Sequence, residues 1–363
     1  MRGGIIQTSY LDVDETAQDP VEVCYANGWT DGLPVIPPTE EKVAALVRHV
    51  NEDPERLIGT IPPCEGKATI EKLAANAVMA GCTPKMFPAV IAATEAMLDP
   101  KFNLNGVQAT SHSCAPLVIV NGPIRKAIGM HWEHNVFGGG SRANAAIGRA
   151  VRLILWNLGG GVPGEIDKAT QGQPGKYCFC IAENEEDNPW EPFHVERGFS
   201  VEESTVSIIA LEGPHNIKAV LAPASVDGIP DTLIPFADVV ASIGANNFCY
   251  WGPLLIVMGP HHANYLAQLG WKKRDIQNWL WQNARKPLSL IKRGASYHGR
   301  ETGYHPYWGP WVDQKSDNSM IPVTERPEDI LIVVSGAWSI PFSCCLHGFG
   351  LGGDTVTRRI PLP

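Results

Sequence analysis

Two short apolar runs dominate the hydrophobic pattern: PLVIVNGP at 116–123 and PLLIVMGP at 253–260. Neither alternates, and Gly-Pro closes both. A short unbroken apolar run bounded by turn residues predicts a strand covered on both faces. Three further stretches read the same way: KYCFCIA at 176–182, TVSIIALEG at 205–213 and ILIVVSG at 330–336. Between them the apolar period changes to that of helices. Thr39 caps a helix carrying Val43, Leu46 and Val47, and Thr69 caps one carrying Ile70, Leu73, Ala74, Ala77 and Val78, with Gly81 as its stop. Residues 84–98 predict a buried Ala-rich helix. Ser141 caps a long helix over 142–158 whose inward stripe is Ile147, Val151, Ile154, Leu155 and Leu158. Helices are also expected at 235–243 and at 272–285, the latter with Ile276, Trp279, Leu280 and Ala284 inward.

The two related runs occupy the same place in a longer pattern. Each follows a helix and leads, through a short helical turn and an amphipathic helix, to another apolar strand. This reads as a diverged internal duplication. The fold class expected is α/β, with two pseudo-repeated α/β halves, mixed sheets and long ordered loops. The first half is placed at 21–200 and the second at 201–363, after a polar arm at 1–20 suited to wrapping a partner subunit. A site is expected at the junction of the halves. Residues 216–229 read as a connection, and the aromatic segment YHGRETGYHPYWGPW at 297–311 as an ordered covering loop.

Composition narrows the function. The 363 residues are 44% hydrophobic and 18% charged, as in ordinary globular chains. The net charge of -9, with no basic run, argues against nucleic acid as a partner. No long apolar stretch or leader pattern is present, so no membrane association is expected. The nine Cys are scattered along the chain, which suits reduced thiols in a cytoplasmic protein. A homo-oligomer is the expected assembly.

Chemistry-bearing residues crowd 108–158: His112, Cys114, Asn121, His131, Glu133, His134, Arg142 and Asn144. His112, Cys114, His131 and His134, joined by His261 or His262 from the second half, form a candidate ligand set for Zn, Cu or Fe. The alternative is loop histidines bonded to backbone, with Cys114 a small buried hydrophobe. The GGGSR turn offers backbone N–H groups of Gly139, Gly140 and Ser141 at a helix N-terminus, beside Arg142 and Asn144, as an anion site. The alternative is a tight turn that needs Gly for steric reasons. The turn is neither GxGxxG nor GxxxxGK[ST], so no nucleotide cofactor is expected. Glu183 and Asn184 follow one strand end, and Glu212 and His215 another, where acid/base residues collect in α/β folds. Cys344 and Cys345, with His347, are a candidate thiol centre.

Several motifs are similar to those of a bacterial UGSC-type family associated with thioredoxin and selenoproteins. They are DGLPVIPPT, NAVMAGC, NGVQATSH with APLVIVNGP, SRANAAIGRA, PGKYCFCIAENEE, PWEPFHVERGF and GPHHA with GW, covering most of 28–285. The resemblance implies that His112, Asn144, Glu183, Asn184 and His194 lie in family motifs. The UGSC tetrapeptide itself is absent, and SCCL at 343–346 is a partial echo.

The function expected from these residues is a metal-dependent enzyme acting on a small anionic molecule. Glu183 would be its acid/base, and Gly139 to Ser141 with Arg142 would hold the anion. Two alternatives stand beside it: metal-free thiol chemistry, as an oxidoreductase or lyase, at Cys344 or Cys345 with His347, and a non-catalytic binding or assembly protein.

Overall fold

The computed structural model describes residues 10–14, 16–222, 228–294, 315–350 and 352–361. The chain opens with α1 (Pro20–Ala26) and α2 (Glu40–Val50). A hairpin of β1 (Leu57–Ile61) and β2 (Gly66–Thr69) then leads into α3 (Ile70–Ala80), which Thr69 caps and Gly81 ends at φ 93. The buried α4 (Phe87–Met97) and short α5 (Leu104–Ala109) precede β3 (Ala115–Asn121). Then come α6 (Ile124–Ala127), α7 (Arg142–Asn157), β4 (Cys180–Ala182), α8 (Phe193–Glu196), β5 (Thr205–Leu211) and β6 (His215–Lys218).

The second run of elements is α9 (Leu233–Val240), β7 (Leu254–Met258), α10 (Pro260–Gln268) and α11 (Lys273–Asn283). It continues with β8 (Arg285–Pro287), α12 (Leu288–Gly294), β9 (Met320–Pro322), β10 (Ile330–Val334), β11 (Phe342–Leu346) and β12 (Val356–Arg359). The segment 297–311 lies outside the described residues.

Two four-stranded sheets carry the architecture, in the orders β12-β5-β3-β4 and β6-β11-β7-β10. In each, the central strand pairs parallel with a later strand reached through helices, β3 with β4 and β7 with β10. In each, its other edge pairs antiparallel, β3 with β5 and β7 with β11. The outermost strands are exchanged. β5 runs on into β6, which pairs with β11, and β11 runs on into β12, which pairs with β5. The first sheet therefore draws strands from both sides of residues 200 and 201, whereas all four strands of the second lie after residue 201.

The side-chain period of two sorts these strands into layers. Leu117, Ile119, Ile181 and Ile209 of one sheet meet Leu255, Val257, Leu331 and Val333 of the other. The opposite faces, through Val118, Val120 and Ile208 or Leu254, Ile256 and Ile332, are covered by helices. The layers run helix, sheet, sheet, helix. A strand covered on both faces reads as continuous apolar sequence, which is why β3 and β7 stand out. Among the described residues no single helix is long and apolar enough to cross a membrane.

Two expectations need correction. Only 180–182 of the 176–182 run is a strand, because Pro174–Lys176 forms a 3₁₀ turn and Tyr177 is exposed. Residues 216–218, expected within a connection, belong to the edge strand 215–218, whose polar side chains hide it. In the described part of the arm, the Tyr10 hydroxyl donates to Glu71.

Glycine ends both central strands at a close approach. A Cβ on Gly259 would lie 2.2 Å from the Phe342 carbonyl oxygen, and one on Gly122 equally far from that of Glu203. Gly259 has ordinary negative φ (-67), so its requirement is purely steric. Gly259→Ala is expected to cost about 1–3 kcal/mol in urea denaturation. An unchanged midpoint would show that β11 moves away freely.

Candidate functional site

The carboxyl ends of β3, β4 and β10 meet around Glu183, the residue after β4, which is completely buried. Its Oε2 accepts hydrogen bonds from Asn121 Nδ2 at 2.6 Å and the Phe193 N–H at 2.7 Å. Its Oε1 accepts from Asn188 Nδ2 at 2.9 Å and the Val334 N–H at 3.4 Å, with Lys273 Nζ 4.0 Å away. The Asn184 N–H donates to the Val334 carbonyl at 2.8 Å, and Ser335 Oγ to that of Ala182 at 2.9 Å. Arg125, also buried, pairs with Glu185 and Glu186 and donates to the Glu183 carbonyl. Burial alone would raise the Glu186 carboxyl, but Arg125 and Lys126 beside it bring it down to about 2. A carboxylate with four N–H donors has its acceptor sites committed. Glu183 is thus a tie between the sheets, which replaces the acid/base role expected of it. His194 is likewise fully buried, 3.9 Å from Glu185.

The His-rich connection lies at this same end. His131 Nε2 bonds to the His134 carbonyl at 2.6 Å, and Asn144 clasps the His131 backbone through both its N–H and its carbonyl. Ser141 spends its hydroxyl on the Asn144 N–H and side chain, as a helix cap does. Gly139, Gly140 and Arg142 are exposed, and Arg142 Nε donates to the Gly81 carbonyl. The turn therefore behaves as a capped, glycine-bearing surface turn; its expected anion-binding residues are engaged with the protein itself or face solvent.

His112 and Cys114 stand at the opposite end of β3. The strand spans about 20 Å, since each residue advances about 3.3 Å. This separates them from His131 and His134, so the expected four-residue ligand set does not assemble. The second-half histidines do not complete it. His262 is buried, with Nδ1 bonded to Ser343 Oγ at 2.7 Å and Nε2 to the Ala219 carbonyl at 3.0 Å. His261 packs edge-on against Trp338, ring centres 4.8 Å apart. Among the described residues no three His, Cys, Asp or Glu side chains are placed to hold a metal.

Among the described residues no base is hydrogen-bonded to Cys344, and the imidazole beside Cys345 is committed elsewhere. Cys344 lines a cleft of about 290 Å³ with His134, Phe137, Gly259 and Gly336, and its Sγ is 3.4 Å from Asn216 Oδ1. Burial pushes its thiol up to about 11. Cys345 is fully buried and raised further, and its Sγ lies 3.9 Å from His347 Nε2. That nitrogen bonds the Val240 carbonyl at 3.1 Å, so it carries the proton and cannot accept one from sulfur. Cys114 is buried too, its thiol pushed up to about 12.

What forms at the amino end of β3 is a His–carboxylate pair. His112 Nε2 lies 2.7 Å from Glu212 Oε1, where β5 ends, and the His112 ring stacks on Phe349. His112 Nδ1 is buried, with no hydrogen-bond partner among the described residues. Burial would raise the Glu212 carboxyl, but the His112 hydrogen bond and charge outweigh it and hold the carboxyl below its usual range. The Glu212 N–H donates to the His347 carbonyl, so the two sheets touch here as well.

A pocket of about 600 Å³, lined by neither His112 nor Glu212, is built on the 161–177 loop. Its loop is pinned to the segment carrying His112. The Thr170 N–H donates to the Ser111 carbonyl, and Gln173 Nε2 to the carbonyls of Ser113 and Leu211. Arg152 and Trp156, one turn apart on α7, line it with Asp31, Asp167, Gln173, Lys176 and Tyr177. Lys176 Nζ holds both Asp167 oxygens, at 2.7 and 2.6 Å, and Arg149 holds both of Asp31. Arg152 is 8% exposed; its Nε donates to the Lys176 carbonyl, and Asp167 is 3.9 Å from its Nη2.

The sequence singled out His112 and noted Glu212, but did not join them, because they are a hundred residues apart. Arg152, Lys176 and Asp167 were missed. Only Arg152 had a signal: a charged residue on the otherwise apolar side of a helical stripe. The chain matches no protein-family model and no curated protein sequence. The UGSC-type resemblance thus contributes nothing further to the site.

Two outcomes follow from these environments. Glu183→Ala is expected to lower stability by about 3–5 kcal/mol, because it strands buried donors from both sheets; a loss under about 1 kcal/mol in urea would remove it as a tie. Burial holds His262 and His347 below the usual histidine value of 6.5. The unfolded chain takes up protons there while the folded chain does not. Stability is therefore full above about pH 6.5 and declines as pH falls below it. Thermal melts should show that decline, with a shallower slope for His262→Asn; equal slopes would contradict it.

Proposed function

We propose that the chain is an enzyme that moves a proton on a small anionic molecule, with His112 as the acid/base. The carrying observation is the 2.7 Å contact of His112 Nε2 with Glu212, which leaves Nδ1 without a partner. An ionised Glu212 accepts the Nε2–H and fixes that tautomer, so the lone pair sits on Nδ1. In the pocket whose loop is pinned to the segment carrying His112, buried Arg152 favours an anionic substrate. The place is the junction of the two sheets, where β5 and β11 exchange their following strands. The shared strand order supports a duplicated origin, with one composite site at the crossing.

The test is deuterium wash-in. Small carboxylates incubated with the protein in D₂O are followed by proton NMR for loss of carbon-bound hydrogen. At least one should exchange, and His112→Asn should slow that exchange by about 10²–10⁴-fold. Glu212→Gln should slow it less, since it removes only the orienting charge. Unchanged exchange in His112→Asn, or none across a broad panel, would overturn the reading.

A further inference from the structure

The four charges lining the 600 Å³ pocket, Asp31, Asp167, Arg152 and Lys176, sum to zero, but Arg149 outside the lining also pairs with Asp31 and leaves one positive charge over. Asp31 is matched by Arg149 and Asp167 by Lys176, each through both carboxylate oxygens. Arg152 remains. Its Nε is held by the Lys176 carbonyl, and no described residue accepts a hydrogen bond from either terminal nitrogen. The nearest carboxylate oxygen, on Asp167, is at 3.9 Å and already shared with Lys176. A guanidinium 8% exposed, lining a pocket with its fork uncommitted, is costly unless an anion completes it. Burial lowers the proton affinity of this guanidinium, the same cost seen from the cation's side.

The remaining walls describe the rest of the ligand. Trp156 and Tyr177 supply aromatic surface, and Pro163 and Pro174 add flat apolar surface. Trp156 is held in place by its Nε1–H bond to the Gly28 carbonyl at 2.9 Å. The volume falls in the range of small-molecule sites, about 300–1,000 Å³. One uncompensated positive charge calls for a monoanion, and a fork calls for a planar one.

We propose that this pocket binds a monocarboxylate with a flat, aromatic-sized body, its carboxylate on Arg152. The proposal names the substrate class of the site above and rests on that reading for the reaction, though not for the binding.

Calorimetric titration of the full chain with sodium benzoate tests it. Benzoate should bind with Kd of about 1 mM, ordinary for so small a ligand. Benzamide, which has the same shape without the charge, should bind at least about tenfold more weakly, and phthalate, a dianion, more weakly than benzoate. Arg152→Lys keeps the charge but loses the fork, and should weaken benzoate by about tenfold. Tyr177→Ala, at a half-exposed position that tolerates change, should weaken it about threefold and guards against misfolding of the Arg152 variant. Benzamide equal to benzoate, full affinity in Arg152→Lys, or no benzoate heat would overturn the proposal. Inorganic phosphate binding as tightly as benzoate would overturn the flat-body requirement. Benzoate binding lost in Arg152→Lys, with deuterium exchange unaffected in His112→Asn, would sink the acid/base reading and leave the pocket standing. Exchange dependent on His112 without benzoate binding would do the reverse.

Discussion

One buried carboxylate holds the two sheets together at their carboxyl ends. Glu183 accepts hydrogen bonds from the end of β3, from the 188–193 loop and from the end of β10. An ion in such a place is tolerable only because every acceptor site is used and a cation, Lys273, stands close by. The cost of breaking the tie is high because its donors are backbone and amide groups that water cannot reach. The strand ends of both sheets, and with them the His-rich connection and the cleft of Cys344, are placed by this knot.

The opposite end is held by topology. β5 and β11 each hand their continuing chain to the other sheet, and the Glu212 N–H bonds to the His347 carbonyl where they cross. The first sheet cannot complete its order without β5 and β12 from beyond residue 200, whereas the second is built wholly from that later part of the chain. A carboxylate at that crossing meets an imidazole from the far end of the neighbouring strand. The His112–Glu212 pair is thus a product of strand exchange, and the loop that builds the 600 Å³ pocket is pinned onto the segments flanking that pair.

Several of the described Cys and His residues are engaged in holding the fold. Cys345 and Cys114 are buried thiols raised by desolvation. His262 joins α10 to β11 through Ser343, and His347 donates to a backbone carbonyl. A reactive thiol needs a cation or a base nearby to favour the thiolate. Here the neighbouring imidazole has its proton committed elsewhere.

The sequence by itself determined the local matters. It set the continuous apolar strands, the caps Thr69 and Ser141, the stop at Gly81 and the α/β class, because a strand with two covered faces or a capped helix leaves a mark within a dozen residues. It also marked His112 and Glu183 as notable residues. Only the tertiary structure decided what they do. Glu183 became a tie because β10, a hundred and fifty residues away, brings it a backbone donor. His112 lost its supposed partners because β3 holds them at opposite ends, and gained Glu212 because β5 runs antiparallel to β3, bringing its end to the start of β3. The edge strands β6 and β12 were hidden for the same reason. Their pairing is with the other sheet, and edge pairing leaves almost no pattern in the strand itself.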